Sequence, residues 1–176
     1  MFFFFLEGDD FVFKIGDYVV YKRDVCKICN MKVFNDKEYY VMHPIMHLID
    51  DETLTINVPV DNSFGHLRAI LSKEESESLI EKIHEIPVIE TMDRMIENQY
   101  RTLLQSGKLE DLVCIIKTSY LRNDERKKNG KKIGEIDDSY FKLAEKILYN
   151  ELSISLGKSY DETKNYVVES VKKLSN

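Results

Sequence analysis

The strongest constraint on the fold is a change in hydrophobic periodicity after the first third of the 176-residue chain. Before Pro59, short runs rich in valine, isoleucine and tyrosine alternate with turn residues, a pattern typical of β-strands. Beyond Ser72, apolar side chains recur every three or four residues, which is the spacing of amphipathic helices. The sequence therefore predicts an α+β protein with a β-rich part followed by a helical part.

The β-rich part is predicted to form a small domain over residues 11–70. The turn pairs Gly16-Asp17 and Asn35-Asp36 separate its runs, and Pro59 ends the last one because proline cannot donate to a strand ladder. Short strands with turns between them favour a small β-barrel or a curled antiparallel sheet. The predicted strands are Phe11–Lys22, which contains the first turn, Val25–Val33, Glu38–His43 and Thr53–Val58.

The second part, residues 71–176, is predicted to be a helical bundle. Ser72 and Glu75 have the spacing of a capping box that begins the first helix, and Pro87 interrupts the pattern, so a linker is expected near residues 86–91. Tyr120 is expected on the inward face of its helix. The predicted helices are Lys73–Glu85, Asp93–Gln105, Lys108–Arg126 and Asp137–Leu156, followed by a last helix after Ser159.

Charge restricts the partners of the chain. The formal net charge is −6, which excludes a uniformly basic coat for nucleic acid. One local exception lies between residues 117 and 132, where seven basic side chains face only Asp124 and Glu125, leaving a local charge of +5. Such a patch suits phosphate contacts, and a solvated charged turn between helices is the alternative. The basic residues are Lys117, Arg122, Arg126, Lys127, Lys128, Lys131 and Lys132.

The cysteines and histidines offer one further chemistry. The chain has three cysteines, an odd and low number that argues against a disulfide framework and predicts a reducing cytosol. Cys26 and Cys29 form a CxxC pair, to which His43 and His47 could add zinc ligands. A strand, however, directs side chains three positions apart to opposite faces, so no metal site is predicted. No nucleophile elbow, metalloprotease motif or phosphate loop is present, and neither enzymatic activity nor a cofactor is expected.

The first ten residues are predicted to be an extension outside the fold, with an additional edge strand as the alternative. Their phenylalanine run lacks a basic flank and is cut off by Glu7. No apolar run approaches the roughly 18–20 residues that a membrane helix needs. We therefore expect a cytoplasmic protein with no membrane partner.

Several of these segments resemble the CarD/CdnL family of bacterial regulators that bind RNA polymerase. The resemblance covers roughly residues 13 to 157, and the order and spacing of its motifs carry it rather than any single one. The β-rich motifs are Phe13–Tyr21, whose sequence is FKIGDYVVY, Tyr39–Val41, Leu54–Pro59 and Leu67-Arg68. The helical motifs are Leu103–Gly107, Leu112–Lys117 and Ala144–Leu152.

This resemblance implies a non-enzymatic transcription regulator associated with the nucleoid. Its N-terminal domain would be Tudor-like, as in the transcription-repair coupling factor, and would dock on the polymerase β subunit through a sheet edge. Its helical domain would lie on double-stranded promoter DNA at the upstream edge of the bubble and modulate open-complex stability. Such an effect is differential binding, without a small-molecule substrate or bond chemistry.

The resemblance also suggests functional residues, but at two of these positions the chain differs from the family. Many members insert a tryptophan into the minor groove, but this chain has none; Met92 or Met95 is a weaker candidate wedge, with a core or linker role as the alternative. A family arginine that holds polymerase falls at Asn57. The candidate polymerase contacts are Lys22, Arg23, Lys27 and Asn57, and the candidate DNA contacts are Arg94, Lys117, Arg122, Lys127, Lys128, Lys131 and Lys132.

Two other functions stay open on the sequence. One is a polymerase- or protein-interaction module that makes no DNA contact, which the acidic net charge and the missing tryptophan favour. The other is a zinc-binding or catalytic protein built around Cys26, Cys29 and the histidines.

Overall fold

A computed structural model describes residues 13–45 and 54–174, with the side chain of Leu174 not described. The chain divides into two compact units, residues 1–69 and 70–176. This division lies one residue from the boundary predicted between residues 70 and 71. The prediction for residues 1–10, the position of His47 and the starts of the first and fourth predicted strands lie outside the described residues.

The first unit contains a five-stranded antiparallel sheet with the order β4-β3-β2-β1-β5. The sheet is not closed, with β4 and β5 at its two ends, so of the two predicted alternatives the structure has the antiparallel sheet and not the barrel. Its fifth strand was not predicted. The strands are β1 Tyr18–Tyr21, β2 Asp24–Phe34, β3 Lys37–Pro44, β4 Ile56–Pro59 and β5 Leu67–Ala69.

Local signals explain the central hairpin of the sheet. Asn35 and Asp36 both have positive φ, at 49° and 58°, which suits the tight turn between β2 and β3. The register of this pair shifts between Ile28 and Asn30, which marks a β-bulge at Cys29. One cluster of buried side chains forms the core of the unit: Val19, Cys26, Ile28, Tyr40, Met42, Val58 and Leu67.

The second unit contains five α-helices, as predicted, and two short 3₁₀ turns. Glu75 N–H donates to Ser72 Oγ at 3.1 Å and Ser72 N–H donates to Glu75 Oε2 at 2.7 Å, which completes the predicted capping box. The helices are α1 Lys73–Lys82, α2 Ile96–Gln105, α3 Leu109–Lys128, α4 Glu135–Leu156 and α5 Tyr160–Leu174. The 3₁₀ turns are Ile83–Glu85, after α1, and Asp93–Met95, before α2.

The core of this unit corrects one sequence prediction, that for Tyr120. Tyr120 is 60% exposed and Ile115 is fully buried, since residues five positions apart lie about 140° apart around a helix and do not share the inward face of α3. The predicted linker near residues 86–91 is a connection inside the second unit, where Ile86 and Ile89 pack against the core. Within residues 13–45 and 54–174, no helix combines the length and apolar character required to cross a membrane.

Candidate functional site

Helix α3 carries most of the predicted DNA contacts, but Lys117 is engaged inside the fold. Its Nζ donates to the carbonyl oxygens of Ile83 at 3.0 Å and His84 at 3.4 Å, and also to that of Ile86. These carbonyls follow the end of α1, where helix geometry leaves acceptors without intrahelical donors. The ammonium group therefore caps a helix end, and its contacts are directed into the protein rather than toward a partner.

Two more residues of α3 hold the chain between α1 and α2. Ile89 N–H donates to Thr118 Oγ1 at 2.9 Å, and the Arg122 guanidinium pairs with Asp93 at 2.9 Å. Together with Lys117 they fix residues 83–93, here called the connecting segment, along the helix.

Arg122 also belongs to a buried polar network. Its Nε donates to Asp137 Oδ1 at 3.0 Å, and the Tyr100 hydroxyl donates to the same oxygen at 2.7 Å. The Asp137 side chain is 3% exposed and that of Arg122 is 22% exposed. Burial opposes the charge of Arg122, but its bonds to Asp93 and Asp137 outweigh burial and raise the pKa of the guanidinium. Burial, followed by the bond to Asp137, raises the pKa of Tyr100.

The end of α3 and the following loop differ from the middle of the helix. We call Arg126, Lys127, Lys128, Lys131 and Lys132 the basic end. Lys127, Lys131 and Lys132 are exposed, and their ammonium groups form no ion pair with any residue that the structure describes. Lys128 pairs with Asp124 at 2.7 Å, and this hydrogen bond raises the pKa of the lysine. Cations at this position also interact favourably with the helix dipole, which would account for them without any ligand.

A small polar cavity of about 180 Å³ opens beside the basic end. Its cations are Arg122, Arg126 and Lys131, and Asp93, Glu125 and Asn129 complete the wall. Gly134 lies close by, since a Cβ there would come within 3.0 Å of Asp137 Oδ2 and 3.3 Å of Arg126 Nε. Arg126 belongs to the basic run identified in the sequence, but it was not among the candidate DNA contacts.

The candidate wedge residues lie just before α2, where Met92 precedes the 3₁₀ turn and Met95 ends it. Met92 is 66% exposed and Met95 is 42% exposed, which excludes a core role for either. Arg94, between them, is also exposed, and Asp93 joins their 3₁₀ turn to Arg122. The structure thus groups Met92, Arg94 and Met95 on one short turn that Arg122 anchors.

The four candidate polymerase contacts are spread across the sheet. Lys22 and Arg23 form the turn between β1 and β2, Lys27 lies in β2, and Asn57 lies on the end strand β4. The Nζ atoms of Lys22 and Lys27 lie 5.5 Å and 5.6 Å from the ring centroids of Tyr21 and Tyr18. Because β3 separates β2 from β4, Asn57 is not brought together with the three basic residues.

The two cysteines of the CxxC pair lie in different environments, so they do not form one site. Cys26 is fully buried, and burial, with a smaller contribution from Asp24, raises the pKa of its thiol to about 12. Cys29 is exposed at the bulge. No group of three or more potential ligand side chains that could hold a metal occurs in the described part of the chain, which does not include His47.

The sequence matches no protein-family model and no curated protein. What the site does is therefore inferred from its own geometry together with the resemblance noted above.

Proposed function

We propose that this protein is a non-enzymatic transcription regulator of the CarD/CdnL type. The sheet unit, as a Tudor-like module, binds the β subunit of RNA polymerase, and the helical unit contacts promoter DNA near the upstream edge of the bubble. Binding the melted promoter more tightly than the closed one shifts the equilibrium toward the open complex by that difference in affinity.

The observation that carries this proposal is the uncompensated charge of the basic end. Lys127, Lys131 and Lys132 are exposed without ion pairs in the described chain, although the protein as a whole is acidic, with a net charge of −6. Exposed lysines on a loop attract phosphates without reading base sequence. Arg94, with its neighbouring methionines on the turn that Arg122 holds, adds a second contact of the same kind.

The open sheet supports the polymerase half of the proposal. β4 is an end strand, and Asn57 on it is exposed. An end strand offers backbone donors and acceptors to an edge strand of a partner. The exposed turn of Lys22 and Arg23 adds a local positive charge to the same unit.

A specific observation favours a second candidate, a polymerase-binding module without DNA contact. Lys117 and Arg122, two of the seven predicted phosphate contacts, are used by the fold, and Lys128 is paired with Asp124. Fewer unpaired cations then remain for DNA, which weakens any electrostatic attraction.

The polymerase contact is tested by a pull-down of purified β-subunit lobe with the full chain. We expect Lys22→Glu/Arg23→Glu to lose the lobe. The matched control is Lys32→Glu/Lys37→Glu, which reverses two exposed lysines near the other end of the β2–β3 hairpin and should retain it. Failure of the folded wild-type chain to capture the lobe would remove the polymerase half of the proposal.

A further inference from the structure

A second surface of the helical unit lies on a different part of the chain from the basic end. An open groove of about 670 Å³ runs beside α1, within the volume range of about 300–1,000 Å³ that is usual for binding sites. Leu71, Leu79 and Ile86 provide its apolar lining.

The rim of the groove is acidic. Glu74 and Glu75 come from the first turn of α1, Glu110 from the first turn of α3, and Glu85 from the 3₁₀ turn after α1. Lys82 is the single basic residue of the lining, so the local charge is −3. Acidic residues are favoured in first turns by the helix dipole, but that preference does not account for an apolar floor between them.

The walls of the groove are fixed before any partner binds. Lys117 donates to the carbonyls of Ile83, His84 and Ile86, which holds one wall against α3. At the other end, Leu71 N–H donates to the buried Glu151 carboxylate at 3.2 Å. A preformed surface binds with a smaller loss of conformational entropy than one that must order on contact.

We propose that this groove binds a short basic segment of a protein partner, with an aliphatic side chain on the floor and lysines or arginines facing the rim. Charge complementarity selects this occupant, since an acidic rim repels DNA and acidic peptides. The ten residues of α1 span about 15 Å, which accommodates about five residues of extended chain. The site is independent of the proposed polymerase and DNA contacts.

The probe is a fluorescein-labelled peptide, Lys-Leu-Lys-Lys-Leu-Lys, titrated with the full-length protein at low salt and followed by anisotropy. We expect binding that is lost when glutamate replaces the lysines or serine replaces the leucines. Glu74→Lys/Glu110→Lys should weaken binding by about tenfold, since two attractive rim charges become repulsive.

The matched control is Asp161→Lys/Glu169→Lys on α5. It reverses two exposed carboxylates, one of them also in a first helical turn, and should bind like the wild type. The proposal would be overturned if both double variants bound the peptide with equal affinity, or if replacing the leucines by serine left the affinity unchanged. A wild-type dimer that Glu74→Lys/Glu110→Lys dissociates in sedimentation velocity would also overturn it, because the occupant would then be a second copy of this chain.

Discussion

The middle and the end of α3 carry the same kinds of cationic side chain, but the two regions use them differently. In the middle, Lys117 and Arg122 are held by carbonyl and carboxylate oxygens from other elements. At the basic end, in the last turn of α3 and the loop after it, Lys127, Lys131 and Lys132 are exposed. The position of distant acceptors, and not residue type or local sequence, determines whether a cation stabilises the fold or is available to a partner.

The difference has a physical origin in burial. A charge that is largely removed from water requires complete pairing, and losing one partner leaves the other uncompensated. Exposed lysines remain hydrated, and their contribution to folding is small. Mutations in the middle of α3 should therefore lower the free energy of unfolding, whereas mutations at the basic end should lower the affinity for a partner.

The largest expected effect is at Asp137. Asp137→Asn removes the charge that compensates Arg122 inside the network, and we expect a loss of about 3 kcal/mol in the free energy of unfolding. Asp138→Asn is the matched control, since both carboxylates lie in the first turn of α4 but Asp138 only pairs with Lys142 at the surface. Urea unfolding followed by circular dichroism measures both. Equal losses would mean that the network contributes nothing beyond the helix dipole.

A smaller effect is expected at Lys117. Lys117→Gln leaves the Ile86 carbonyl without its lysine donor, whereas the Ile83 carbonyl still accepts the Ile86 N–H at 3.3 Å. We expect a loss of about 2 kcal/mol, the cost of leaving a part-buried acceptor unsatisfied. Lys127→Gln makes the same change at an exposed position on the same helix and should leave the urea midpoint close to that of the wild type. If the two variants are equally stable, the proposed division of α3 into two regions is wrong.

Much of the fold could be predicted from local signals. A few adjacent residues were enough to predict the capping box of Ser72 and Glu75. The same holds for the helix end at Gly157, whose φ of 63° is left-handed. β5 was missed because its three residues are too few to show a period. The role of Lys117 was missed for a different reason, since its acceptors lie more than thirty residues earlier in the chain.

The candidate site was predictable only in part. The basic run from Arg126 to Lys132 is a local feature, and its exposed lysines are where the sequence suggested. The pairing of Arg122 with Asp137 and Tyr100 depends on how α2, α3 and α4 pack, which no pattern within one helix contains. In the sequence, Asp137 is only an acidic residue at the start of a helix, which is common and does not predict its pairing with Arg122.

The smallest effect is expected at Lys128, whose ion pair links the basic end to the preceding part of α3. Lys128 belongs to the basic end but pairs with Asp124, an exposed pair spaced by four residues. Asp124→Asn should leave the urea midpoint unchanged within error, because such pairs contribute little. The same variant should raise affinity for DNA slightly at low salt, since it frees one lysine. Unfolding at clearly lower urea would place Lys128 with the middle of the helix instead.

The most direct test of the account measures how the affinity for double-stranded promoter DNA depends on salt. Counterion release gives log K a slope of about −0.9 per phosphate contacted. Lys127→Gln/Lys131→Gln/Lys132→Gln should therefore make the slope shallower by about 2 to 3, with unchanged stability, while Lys117→Gln should leave the slope as in the wild type. A triple variant that keeps the full slope, or a Lys117→Gln variant that lowers it equally, would contradict the assignment of the basic end to DNA.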